Sequence, residues 1–382
     1  MRSSSATKTS HEWRDERPLT KLPSATVRVP LKNRAYDIEI AAGALETAAG
    51  RVLQVIEPSR VVVITDSTVG DLYGDPIREG FIQAGHDAVL LRVPAGEASK
   101  SVDQAQQLWQ QVLASGADRK SVIVALGGGV VGDLAGFVAA SFARGIAFVQ
   151  LPTTLLAQVD SSVGGKVGIN LPAAKNMVGA FWQPRLVLID TLALKTLSDR
   201  EYRAGLAEVV KYGVILDADF FAMLESHVQA ILARDPIVLR DLVARCCQLK
   251  TDIVVEDEFE TSGRRAVLNY GHTFGHALEA ITGYGQLLHG EAVAIGMLCA
   301  SRLANLLDMI PAGLTERQEN LLQSLGLPTK LPDVDDDELV TAMQHDKKTE
   351  QGRLHFILPT ELGQVILVAD VRPSDVISAL RG

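Results

Sequence analysis

Hydrophobic and polar positions change their period part-way along the chain. From residue 26 to about 191, short apolar runs alternate with longer amphipathic segments. Residues 27–31 and 36–40 read as a hairpin turning through Lys32-Asn33-Arg34, and 60–65, 88–93 and 121–126 read as strands. Between them, 69–85 and 101–116 carry helical spacing, and a further helix opens on glycine after 129. Such alternation predicts a parallel sheet covered by helices, which binds ligands beyond the carboxyl ends of its strands. After Asp190 the texture becomes helical over 199–216, 219–233, 235–256, 267–283, 290–308 and 315–325, as in Leu206, Val209, Val210 and Val214. Residues 354–358 and 365–368 flank Pro359-Thr-Glu-Leu-Gly363 and predict a late hairpin. The expected organisation is an extension over 1–25, an α/β domain over 26–191 and an all-α domain over 192–382.

Composition narrows the functional classes. The 382 residues are 47% hydrophobic and 22% charged, as in ordinary globular proteins. A net charge of −9 argues against nucleic acid or an anionic membrane as partner, since either calls for a basic surface. No secretory signal or membrane-spanning run is evident, and the first 22 residues are polar with mixed charge, which predicts disorder there. Adjacent Cys246 and Cys247 diverge on a helix and Cys299 stands alone, so a reduced, cytoplasmic setting is expected.

Two groups of residues carry candidate chemistry. The strand at 121–126 empties into Gly127-Gly128-Gly129, then Val-Val-Gly and Asp133, expected in the first turn of the next helix. Pro152-Thr153-Thr154, Asp160-Ser-Ser-Val-Gly-Gly-Lys166 and Lys175-Asn176 follow. Backbone donors, hydroxyls, a carboxylate and two lysines suit a phosphorylated, hydroxyl-rich ligand. Taken singly, Asp133 and Thr153-Thr154 also read as helix caps and Lys166 as a solvated side chain. In the helical half, His272 and His276 share one face four residues apart, His289 begins His-Gly-Glu, and Glu208 lies among apolar neighbours. A carboxylate there needs a partner, and two histidines with one carboxylate form a catalytic type of metal set. Spacing leaves open which of His272 and His276 is the ligand.

These motifs resemble the 3-dehydroquinate synthase family of sugar-phosphate cyclases from about residue 26 to the end. The resemblance rests on Gly-Gly-Gly-Val-Val-Gly-Asp133, Pro-Thr-Thr154, Val-Asp160-Ser-Ser-Val-Gly-Gly-Lys166, Lys175-Asn176, Ala-Glu208-Val-Val-Lys211, Leu268-Asn269-x-Gly-His272-x-x-Gly-His276 and Leu-His289-Gly-Glu-Ala-Val-Ala. It implies a dehydroquinate synthase-like fold with a Rossmann-like sheet, NAD, and a divalent metal, zinc first and cobalt second. The implied ligands are Glu208, His272 and His289, which moves His276 to the substrate side. NAD would be held by Asp66, Gly96, Glu97, Lys100, Gly129, Asp133, Thr153, Thr154, Lys166, Lys175 and Thr196. Substrate would meet Asp160, Lys166, Asn176, Lys211, Lys250, Arg265, Asn269, His276 and Lys347. Arg144 would reach a neighbouring subunit's phosphate site, which implies a homodimer. Lys166, Glu260, Arg265, Asn269 and His276 are the implied catalytic set. Between Glu260 and Asn269 the chain is one residue longer than the family's usual spacing, and counting back from Asn269 selects Arg265 rather than Arg264.

The implied activity is a phosphate-eliminating lyase reaction of the shikimate pathway, leading to chorismate and the aromatic amino acids. It converts 3-deoxy-D-arabino-heptulosonate 7-phosphate to 3-dehydroquinate by oxidation with NAD, loss of phosphate, reduction, ring opening and an aldol closure. Lys166, Lys211, Asn176, Asn269 and His276 would cradle the phosphate, while Lys250, Arg265 and Lys347 suit a carboxylate. Competing readings are a metal- and NAD-dependent alcohol or glycerol dehydrogenase, a cyclase of another sugar phosphate, and a binding protein without catalysis.

Overall fold

The computed structural model of the chain describes residues 24–172, 174–283, 285–344 and 354–381. Most of the expected N-terminal extension and Lys347 therefore lie outside the described residues. Ala25, assigned to the extension, instead begins the first strand and pairs with Ile40.

Seven strands form one sheet in the order β1 (Ala25–Val29), β2 (Tyr36–Ala41), β9 (Leu186–Asp190), β6 (Ala147–Pro152), β5 (Val122–Gly127), β3 (Val61–Asp66) and β4 (Ala88–Val93). Every pairing is parallel except the β1–β2 hairpin at the edge. β5 reads Val-Ile-Val-Ala-Leu-Gly and is buried throughout, as a central parallel strand must be. Ile123 and Ala125 face a core with Leu134, Val138 and Phe148, whereas Val122, Val124 and Leu126 face another with Ile77 and Phe81. A third core joins Ile38 and Ile40 of β2 and Ile189 of β9 to Val209, Leu242 and Cys246. The helical half thus docks on the β1–β2–β9 end of the sheet.

Asp190 pins this junction. Its buried carboxylate accepts from Gly43 N at 2.8 Å, Leu45 N at 3.1 Å and Leu192 N at 2.8 Å, tying the segment after β2 to the end of β9. Beyond it run helices Asp199–Leu216, Ala218–Ser226, Val228–Leu232, Pro236–Glu256, His272–Ile281, His289–Leu306, Ala312–Ser324, Asp336–Gln344 and Pro373–Arg381. Ser198, Asp217 and Asp235 cap three of them through side-chain oxygens, the last with proline at the first turn. β10 (Phe356–Glu361) and β11 (Gln364–Val368) make the expected late hairpin inside this helical region. None of the helices searched among the described residues is long and apolar enough to cross a membrane.

Three segments depart from the pattern-based reading. The helix expected over 69–85 breaks into a short turn at Ser67–Val69, a wide turn at Gly70–Gly74 and a helix at Asp75–Gln83. The segment 166–181 folds as a separate hairpin, β7 (Lys166–Leu171) and β8 (Ala174–Phe181), whose many polar and glycine positions blur the strand alternation. Asp133 sits in the second turn of helix Gly129–Ser141, too far along to serve its positive end. Asp190→Ala is expected to leave three backbone donors without their acceptor and to cost about 3 kcal/mol. A urea unfolding series that moves by less than about 0.5 kcal/mol would contradict the pinning role.

Candidate functional site

Two helices begin on the histidines that matter. His272 is the first residue of His272–Ile281, and His289 is the first of His289–Leu306. Their rings stand 5.3 Å apart, and both turn an Nε2 towards Glu208 Oε1, at 3.5 Å from His272 and 3.7 Å from His289. Glu208 comes from the middle of Asp199–Leu216 and is 1% exposed. One ligand atom from each of Glu208, His272 and His289 lies within 4.8 Å of the others.

The other ring nitrogens are already committed. His272 Nδ1 donates to the Tyr270 carbonyl at 3.1 Å, and His289 Nδ1 faces Glu279 Oε2 at 3.1 Å. That leaves both Nε2 lone pairs for a cation, the tautomer a metal requires. Lys211, one turn along from Glu208, is equally buried and ion-pairs with it. Neither Glu208 oxygen has a well-aligned hydrogen bond, so the carboxylate retains lone pairs in an apolar place. The donor set therefore fits a divalent metal.

Packing fixes this geometry. A methyl added at Gly290 would fall 1.8 Å from the Ala204 carbonyl, so glycine alone lets the start of the His289 helix meet the Glu208 helix. Glu291 accepts from Leu288 N at 2.8 Å and takes a forked pair from Arg200 at 2.8 and 2.7 Å, locking the junction that carries His289.

Beside the metal set lies a basic cluster. Asp160, on the wide turn Ala157–Ser161, accepts from Lys250 at 2.8 Å and Tyr212 at 2.7 Å, and its carbonyl accepts from Lys250 at 2.7 Å. Burial pushes the Asp160 carboxyl up, but Lys250 and Lys211 outweigh it and hold the group well below the usual carboxylate range. Burial likewise pulls Lys250 down, only partly offset by Asp160. Lys166 ion-pairs with Glu260, which also faces Arg265 Nε at 3.5 Å. Arg265 is buried while Arg264 is exposed on Glu256, so the arginine selected by counting back from Asn269 is the one facing inward. Its Nη2 lies 2.9 Å from where a methyl on Gly164 would sit, and that residue's φ of 102° is one that favours glycine.

The segment between Glu256 and Arg265 forms a loop around Asp257. That carboxylate accepts from Thr261 N at 2.8 Å, Ser262 N at 3.1 Å and Arg265 N at 3.3 Å. These backbone bonds hold its pKa below the ordinary value. Glu260 takes a positive φ of 57° within the loop.

At the carboxyl edge of the sheet stand Asp66 at the end of β3, Gly96 and Glu97 after β4, Gly129 after β5, Thr153 and Thr154 after β6, and Thr196 after β9. Thr153 Oγ1 is buried without a partner, as a ligand-binding hydroxyl would be. Lys100 donates to both Asp133 and Asn176. Burial raises the Asp133 carboxyl, an effect Lys100 offsets only in part. Asp66 and Thr154 also cap local turns, accepting from Val69 N at 2.9 Å and Ala157 N at 3.2 Å. This edge fits a dinucleotide.

Other expected residues lie elsewhere. Lys175 faces Glu279 at 3.5 Å in the helical half. His276 meets His272 edge to face, with ring centres 5.4 Å apart, and Asn269 ends the turn Arg264–Asn269 just before that helix. Arg144 is exposed at a positive φ of 70° after helix Gly129–Ser141. Sequence reasoning missed Tyr212, Asp257 and Glu279, together with Asn170, which donates to Glu97 at 2.7 Å, and Tyr73, whose hydroxyl meets Thr196 at 2.9 Å. Glu279 had a signal, since it lies two helical turns from His272 on the same face.

Residues 90–204 match the 3-dehydroquinate synthase N-terminal family and residues 205–349 the 3-dehydroquinate synthase C-terminal family. A curated 3-dehydroquinate synthase of Rhodopirellula baltica is 48% identical over 364 residues, covering 94% of this chain and 97% of its own. The chain belongs to the 3-dehydroquinate synthase family. Another relative of that name, from Desulforamulus reducens, is 47% identical and covers 93% of this chain and 99% of its own. Among solved structures, a 2-deoxy-scyllo-inosose synthase complexed with carbaglucose-6-phosphate, NAD+ and Co2+ aligns with a TM-score of 0.85 at 30% identity, covering 94% of this chain and 99% of its own. A 2-epi-5-epi-valiolone synthase from Streptomyces hygroscopicus with NAD+ and Zn2+ bound gives 0.83 at 30%, covering 91% and 96%. A probable glycerol dehydrogenase from Sinorhizobium meliloti shares the fold at 18% identity and a TM-score of 0.59, covering 90% of this chain and 95% of its own.

Asp257→Ala is expected to loosen the loop that leads to Arg265. Hydrogen exchange at Thr261, Ser262 and Arg265 should speed up about tenfold, the scale of one charge-assisted hydrogen bond. Unchanged exchange at all three amides would remove Asp257 from that role.

Proposed function

We propose that the chain is a 3-dehydroquinate synthase, a phosphate-eliminating lyase that converts 3-deoxy-D-arabino-heptulosonate 7-phosphate to 3-dehydroquinate and phosphate in the cytoplasm. The observation that carries the reading is a run of contacts in a protein of net charge −9: Lys166, Arg265, Lys250 and Lys211 meet around Glu260, Asp160 and Glu208. Lys211, Lys250 and Arg265 are buried and Lys166 is exposed beside them, and an anionic substrate is what such a local concentration of cations selects. The 48% identity to the Rhodopirellula baltica synthase supports the particular substrate.

A divalent cation at Glu208, His272 and His289, zinc by first choice, would supply Lewis acidity towards a substrate hydroxyl. NAD along the carboxyl edge, held by Asp66, Gly96, Glu97, Lys100, Gly129, Asp133, Thr153, Thr154 and Thr196 with Lys166 and Lys175 at its substrate end, would supply reversible oxidation without net redox change. Lys250 and Arg265 bind the substrate carboxylate, Arg265 with a planar fork. Lys166, Asn176, Asn269, Lys211 and His276 receive the phosphate, joined by Arg144 of a second subunit in a homodimer. Asp160, kept ionised, holds Lys250 in place through two contacts. Glu260 lies between Lys166 and Arg265, where it orients both cations and can take a proton.

Phosphate release from the heptulosonate phosphate tests the reading, and a chelator should abolish it. Steady NADH accumulation with polyols in place of phosphate release would instead favour a dehydrogenase. Glu208→Ala should lower activity by at least about a hundredfold and empty the metal site, while NAD still binds. Full metal occupancy in that variant, measured by elemental analysis, would take Glu208 out of the ligand set.

A further inference from the structure

Glu279 has no part in the ligand set, yet its side chain is only 12% exposed and stands directly behind that set. It projects from helix His272–Ile281, the same helix that His272 opens. Its Oε2 lies 3.1 Å from His289 Nδ1, and its Oε1 lies 3.5 Å from Lys175 Nζ on β8. Both oxygens therefore face donors, one of them the Lys175 ammonium, so the charge is balanced without a metal ion of its own.

Two overlapping groups could compete for a metal, Glu208 with His272 and His289, and Glu279 with His276 and His289. His289 decides between them. Its Nε2 points at Glu208, at 3.7 Å, and its Nδ1 points at Glu279. An imidazole that offers one nitrogen's lone pair to a metal carries its proton on the other and needs an acceptor there. Glu208 lacks well-aligned hydrogen bonds and is 1% exposed, so the cation belongs on its side. Glu279 is then the acceptor. On the other ligand, the Tyr270 carbonyl does the same for His272.

We propose that Glu279 is a positioning residue for the metal centre: it accepts the Nδ1 proton of His289 and so holds Nε2 towards Glu208. The inference rests on the metal reading above and sharpens it. Glutamine at this position keeps an acceptor in the same shape, whereas leucine removes it. Zn2+ titrated into the apo-protein against a chromophoric chelator should therefore bind about tenfold more weakly to Glu279→Gln and about a hundredfold more weakly to Glu279→Leu. In a His289→Ala background, Glu279→Leu should produce no further loss, because its effect passes through that histidine. Thermal unfolding of the apo-proteins separates metal loss from misfolding, and the near-isosteric glutamine variant keeps the comparison valid if the leucine variant is unstable.

Equal losses in the two variants would mean that Glu279 acts only through its charge, and would overturn the inference. So would wild-type affinity in both, or an undiminished loss in the His289→Ala background. A wild-type protein that takes up no Zn2+ would instead defeat the metal reading itself, a distinct outcome.

Discussion

A carboxylate in the middle of an apolar helix is the constraint around which the rest of this molecule is arranged. Glu208 is flanked by Leu206, Ala207, Val209 and Val210, all fully buried, and water cannot solvate it there. An uncompensated charge in such a place is costly enough to deform or unfold its surroundings. Lys211 answers part of the charge, and two imidazole nitrogens face the remainder. The tight contact at Gly290 and the forked Arg200–Glu291 pair hold those imidazoles against a helix that could otherwise slide past them.

The sheet contributes a different kind of order. Six strands run in parallel, so their carboxyl ends share one edge and deliver glycines, hydroxyls and carboxylates from six distant stretches of chain to a single line. The metal set belongs to the other half. Between them stand β7–β8 and the loop after Asp257, joined where Phe181 meets Phe259 at 5.4 Å and where Lys166 meets Glu260. Arg34 adds a contact over the Phe259 ring at 5.1 Å, tying the β1–β2 turn to the same loop. Groups that would touch cofactor and groups that would touch metal thus approach one another across a short, polar seam.

How much of this was legible in the sequence follows from how local each signal is. The buried runs of β3 and β5 and the apolar spacing of Asp199–Leu216 are written in consecutive residues, and the pattern located them closely. β7–β8 was not visible as strands because glycines and polar residues interrupt it and its partner is itself. The motif histidines and Glu208 stood out by residue type, but which histidine faces Glu208 is a matter of three-dimensional packing, and His272 Nε2 stands 3.5 Å from it. Asp257 accepts from the amides of Thr261, Ser262 and Arg265 only because the loop curls back on it, and Glu279 meets His289 and Lys175 only once the helices and β8 are packed, so residue type and period do not reveal these contacts. Arg264 and Arg265 are adjacent, and only the fold distinguishes them: Arg265 is buried facing Glu260, whereas Arg264 lies outside on Glu256.

Because Glu208, His272 and His289 come from three different helices, any cation they hold would find its site only in the assembled protein. The unfolded chain offers scattered imidazoles and a carboxylate, with no common geometry. A bound ion would therefore act as a thermodynamic latch, stabilising the native state by an amount that grows with free metal concentration. Metal supply and protein lifetime would then be linked quantities, with metal starvation weakening the fold at the same place where it removes the ion.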